Sequence, residues 1–251
     1  MNFVNMATSA KRNDIIEQLQ REILSMQGLR DKDNNKVRLG IEPLEQAFPG
    51  KTFPVAAVHE FLSYAREEAA ATSGFITGLL SRLMQKDAYC IWVAVRRTIY
   101  PPALKRFGID PDRILFIDVA KSIDALWVVE EALKCDLLAA VVGEIPDLSF
   151  TQSRRLQLAV EGSKVTGLIH RYYPRNENAV ACVSRWHIKP VSSQTEDEMP
   201  GVGFPSWEVT LSRIRNGHPG TWHVAWTGGK FKHITTATST DIRTLQTGLY
   251  G

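Results

Sequence analysis

Between Ile91 and Glu144 the chain carries three short apolar runs, 91–95, 114–119 and 137–142, with helical spacing in the gaps between them. Each run is strand length. Strands alternating with helices are what βαβ units of a parallel sheet require. The third run, LLAAVV, ends on Gly143-Glu144. Ligands of open α/β sheets sit beyond the carboxyl ends of the strands, so an acidic residue there is a candidate magnesium holder. Nucleotide chemistry is therefore the first question the sequence raises.

Composition narrows the class. Of the 251 residues, 44% are apolar and 23% charged, which suits a soluble protein with one large core domain. No apolar run approaches the roughly 18 residues needed to span a bilayer, and MNFVNMATSAKRND lacks the apolar core of a secretory signal. Cys90, Cys135 and Cys182 are scattered through apolar segments, which predicts buried reduced thiols in a cytoplasmic protein, without disulfide or zinc framework. A net charge of +3 permits contact with nucleic acid without demanding it.

Residues 11–27 place Ile15, Ile16, Leu19, Ile23 and Met26 on one helical stripe. The polar, turn-rich segment 28–38 follows. A stripe set off by such a connector is a candidate partner-binding helix, with Ile15, Leu19, Ile23 and Met26 as its contacts; packing on its own domain is the plainer use. Residues 39–227 read as the core domain and 228–251, Thr-rich with little to bury, as a flexible tail.

Within the core, VAAVHEFL (55–62) reads as a buried strand and GFITGLLSRLMQK (74–86) as a helix whose inner face holds Phe75, Leu79, Leu80 and Leu83. Thr72 or Ser73 is placed to cap that helix. The intervening SYAREEAAATSG then reads as a loop. Strand, loop and helix N-terminus together form the geometry that cradles phosphate. The chemistry is missing, however. A P-loop needs glycines for close backbone approach and a lysine for the β/γ-phosphates. This loop offers Ser63, Thr72, Ser73 and Gly74, has no lysine, and carries Glu67 and Glu68, which repel a triphosphate.

Further on, a helix is expected from about Ser149 or Thr151, with Arg154 and Arg155 on its solvated face. VTGLIHR (165–171) and AVACVSRWHIKPV (179–191) read as strands. The two alternating runs around Asn216-Gly217 form an antiparallel hairpin. The fold class is thus α/β: a mainly parallel sheet flanked by helices, with an N-terminal helix and a C-terminal antiparallel hairpin. The six histidines show no metal-ligand spacing, and no G-x-S-x-G elbow exists. The basic residues Arg154, Arg155, Arg171, Arg175, Arg213 and Arg215 are candidate DNA contacts of a weak, salt-sensitive kind.

The order of segments from about Leu39 to Trp226 resembles the ImuA family, RecA-like proteins of bacterial SOS mutagenesis operons. The stretches that carry the likeness are VHEF with GFITGLLSRL, DALWVVEEALKC, AAVVGEI, SRRLQLAVEGSKVTGLIHR, AVACVSRWHI and GFPSWEVTLSRIRNGHPGTWHVAW. The wider resemblance is to the RecA ATPase core. Laid on that pattern, Thr72 falls close to the P-loop lysine, Arg96 at the catalytic glutamate, and Gly143 or Glu144 at the metal-binding aspartate. Thr72, Ser73, Gly74, Arg96, Gly143 and Glu144 then mark an eroded nucleotide site with no cofactor and no metal. The resemblance implies a non-catalytic adaptor that joins RecA and an ImuB-type polymerase homologue in translesion synthesis. Two other readings compete. One is a SulA-like cell-division inhibitor, which the extra C-terminal strands disfavour. The other is an ATPase with an unorthodox site, which an ATP-binding assay separates.

Overall fold

The computed structural model describes residues 37–84, 88–95, 97, 99–193 and 203–234. The stripe Ile15, Leu19, Ile23 and Met26, and also Arg96, lie outside these residues.

Nine strands form one sheet in the order β3-β2-β4-β5-β1-β6-β7-β8-β9. They are β1 (Val58–Ser63), β2 (Tyr89–Ala94), β3 (Ile114–Asp118), β4 (Leu138–Glu144), β5 (Thr166–Tyr172), β6 (Ser184–Pro190), β7 (Ser206–Ile214), β8 (Gly220–Thr227) and β9 (Lys230–His233). From β3 to β6 every neighbouring pair is parallel; β6 to β9 are antiparallel. All six residues of β1 are buried, as expected of a central strand covered on both faces.

The helices are α1 (Glu42–Glu45), α2 (Arg66–Leu83), α3 (Ser122–Ala132) and α4 (Phe150–Ser163). One core lies under α2, where Phe61, Phe75, Trp92, Trp186, Trp207 and Phe231 pack together. The second lies under α3 and α4, built from Val58, Val93, Leu126, Val129, Leu156 and Val160. Because alternate residues of a strand face opposite sides, the α2 side receives Phe61 and Ser63 while the other side receives Val58 and Glu60.

Four expectations change. The helix expected from Gly74 starts at Arg66, and Thr72 and Ser73 lie within it rather than capping it. Arg-Glu-Glu-Ala-Ala-Ala is a run of strong helix formers, and Glu67 and Glu68 suit the positive end of the helix dipole. Between β2 and β3 the described residues form 3-10 turns, Pro101–Phe107 and Pro111–Arg113, where an α-helix was expected. Two consecutive prolines remove backbone donors there. Cys135 is exposed; only Cys90 and Cys182 are buried. Finally, the expected tail contains β9, which pairs with β8 and buries Phe231. Gly78 of α2 is what admits that ring, since a Cβ there would lie 2.5 Å from Phe231 Cζ. Among the described residues no helix is long and apolar enough to cross a membrane.

Candidate functional site

The carboxyl ends of β1, β4 and β5, under the N-terminal half of α2, are where a nucleotide would meet this sheet. The connection from β1 to α2 is only Tyr64 and Ala65. A phosphate cradle needs several free backbone N–H groups. Here the Tyr64 N–H donates to Glu68 Oε2 at 2.7 Å. The chain's own carboxylate thus sits on an amide that an anion would need.

The residues of the eroded site are put to structural use. Thr72 is fully buried, and its Oγ1 lies 2.9 Å from Ser63 Oγ, which in turn lies 2.9 Å from His170 Nε2. Ser73 lends its carbonyl to Thr77 Oγ1 at 2.7 Å. Gly74 lets Trp207 approach, since a Cβ would meet its Cζ2 at 3.1 Å. Gly143 faces α3, where a Cβ would lie 2.7 Å from Val129 Cγ2. The glycine therefore serves helix-on-sheet packing, and any side chain there would point away from α2.

Glu144, one residue on, faces the α2 side. Its Oε1 accepts from Trp92 Nε1 at 2.9 Å. Burial pushes its carboxyl up to about 7, opposed by the Trp92 hydrogen bond and aided by the negative charge of Asp118. His170 pairs in register with Glu144 on the neighbouring strand. Burial holds its imidazole down to about 4, so it is neutral, and its Nδ1 is buried without a hydrogen-bond partner. Ser63, Thr72 and His170 form a dehydrated polar cluster, not an open catalytic constellation. Among the described residues no group of three or more His, Cys, Asp or Glu side chains is placed to hold a metal ion.

The candidate DNA contacts divide. Arg171 is 1% exposed and is no surface contact. Its Nη1 lies 2.6 Å from Glu60 Oε1, and Arg185 Nε lies 2.6 Å from Glu60 Oε2. Both guanidiniums also hold the β5–β6 connection, through the carbonyls of Asn176 and Asn178 at 2.9 and 2.6 Å. This triad could have been read from the sequence, because a glutamate inside VHEFLS and an arginine ending GLIHR each need a buried partner. Arg155 is exposed but tied to Glu130 at 2.7 Å, and Arg175 lies 3.5 Å from Asp147. Arg154, Arg213 and Arg215 come together around one cavity of about 420 Å³.

No family model matches the chain. Two curated relatives do, both called Protein ImuA and both from Caulobacter vibrioides, one of strain NA1000 / CB15N and one of strain ATCC 19089 / CIP 103742 / CB 15. Each is 32% identical over 195 residues, which cover 73% of this chain and 80% of the relative.

Proposed function

Because this chain belongs to the ImuA family, we propose that it serves the SOS mutagenesis system as a non-catalytic adaptor, binding RecA and an ImuB-type polymerase homologue during error-prone translesion synthesis. Membership of the family carries the place in mutagenesis. One observation carries the non-catalytic part: the two-residue β1–α2 connection, with Glu68 on the Tyr64 amide. Phosphoryl transfer needs phosphate charge neutralised, a metal held, and water positioned. No lysine stands between β1 and the end of α2, so the first is unsupplied. Glu144 Oε1 already accepts from Trp92 Nε1, which weakens its case for supplying the second.

Purified protein, with and without single-stranded DNA, is expected to show no ATP turnover above a blank. DNA-stimulated turnover abolished by Glu144→Gln overturns the non-catalytic reading. Immobilised chain is expected to retain RecA and the polymerase homologue from purified mixtures; failure to retain either overturns the adaptor role.

A further inference from the structure

Arg213 lies near the end of β7 and Arg215 in the turn that follows it, and both reach the segment 180–182. Each guanidinium is held by backbone carbonyls instead of a carboxylate. Arg213 Nη2 donates to Val180 at 2.9 Å and to Cys182 at 3.1 Å; Arg215 Nη2 donates to Ala181 at 3.4 Å. Arg154 approaches from α4, one turn after Phe150. Between them lies the cavity of about 420 Å³, within the roughly 300–1,000 Å³ range of small-ligand sites. No acidic residue lines it, and none of the three arginines pairs with a carboxylate among the described residues. Three like charges around one cavity repel each other unless an anion joins them. Guanidiniums fixed at one nitrogen keep other N–H groups for an anion with two or more acceptor oxygens, such as a phosphodiester. At the rim, the Phe150 ring is 58% exposed.

We infer that this cavity binds the phosphate backbone of single-stranded nucleic acid, with Arg213 and Arg215 on the phosphates and Phe150 beside Arg154 as a platform for a base. The combination of basic groove and exposed aromatic ring is how strands are held without sequence preference. The inference deepens the reading that the chain works at damaged DNA and rests on it.

The test is fluorescence anisotropy of a labelled twelve-residue oligothymidylate with the full chain at low salt. Arg154→Gln, Arg215→Gln and Phe150→Ala are each expected to weaken binding about 5–10-fold, and each arginine variant to lower the salt slope by about 0.7. Arg175→Gln, away from the cavity, is expected to stay within about twofold. Arg154 makes no hydrogen bond among the described residues, so its variant reports binding more than folding. Inorganic phosphate and thymidine monophosphate, at matched ionic strength, are expected to compete only far more weakly than unlabelled strand. Unchanged strand binding in both arginine variants overturns the inference. So does inorganic phosphate binding as tightly as the strand, or equal displacement by a polyglutamate peptide. Retention of RecA by the same preparations separates the two claims: intact retention with unresponsive strand binding overturns the cavity alone, and arginine-dependent strand binding without retention supports the cavity while overturning the adaptor role.

Discussion

Glu144 is a side chain of the candidate site whose titration has a large consequence. Its carboxyl goes from 4.5 to about 7 on burial. Between those values the unfolded chain has released the proton and the folded chain keeps it, so stability falls as pH rises through that window. Glu144→Gln removes the titration while keeping an acceptor for Trp92. The variant is expected to match the parent near pH 4.5 and exceed it by about 1–3 kcal/mol at pH 8 in urea melts. His59 and His170, both held down to about 4, titrate with the opposite sign but equally in both proteins, so the difference isolates Glu144. An equal gain at both pH values would show a packing effect instead. Arg171 is the second residue with a sharp consequence. Replacing it by methionine leaves Glu60, fully buried, with Arg185 alone, and is expected to cost about 3–5 kcal/mol, against under about 0.5 kcal/mol for Arg175→Met at the surface.

At the level of elements, β9 and α2 are joined through one missing side chain. Gly→Ala on an exposed helix face gains about 1 kcal/mol. At Gly78 the added methyl would meet Phe231, whose ring is confined by Phe75 at 5.2 Å and Trp226 at 4.9 Å. The ring has nowhere to move, so Gly78→Ala is expected to destabilise by about 1–3 kcal/mol. In a Phe231→Leu background the same change is expected to cost little or to stabilise. Additivity of the two changes in thermal melts would show that β9 does not pack on α2 as described. The same contact explains what the sequence concealed. Apolar runs of strand length made β2, β3 and β4 legible, and the start of α4 was legible to within two residues, at Ser149 or Thr151; the structure adds the capping box of Ser149 with Gln152. A four-residue strand with one buried ring, by contrast, has no periodicity to see. The start of α2 was hidden for another reason: Thr72, Ser73 and Gly74 look like a cap, yet all three lie inside the helix, where Thr72 buries its hydroxyl and Gly74 admits the Trp207 ring. In the candidate site, residue types were readable, but the facing of Gly143 and Glu144 to opposite sides of the sheet depends on register. Arg171 was misread because its place at a strand end was weighed without Glu60, the acid inside the apolar run VHEFLS that calls for a buried cation.

Across the whole molecule, the parallel half of the sheet keeps the layout of a nucleotide enzyme while its connections are rebuilt for packing. The β1–α2 turn is short and self-capped, the polar cluster beneath it is dehydrated, and Arg154, Arg213 and Arg215 gather on the α4–β7 flank with no carboxylate partner among the described residues. Such a surface suits binding more than turnover. The sequence spacing also predicts an apolar helix face at Ile15, Leu19, Ile23 and Met26, which lie outside the described residues. On the adaptor reading this stripe enters a groove on RecA or on a second copy of the chain. Burying a leucine is worth about 1.5–3 kcal/mol, or roughly 10–150-fold in affinity before ordering costs. Leu19→Asp is therefore expected to weaken partner retention by about tenfold or more, with circular dichroism and melting temperature close to the parent. A variant that unfolds would place Leu19 in the domain's own core. One that folds and retains its partners normally would remove the N-terminal stripe from the interface and leave the sheet and its flanks as the surfaces to search.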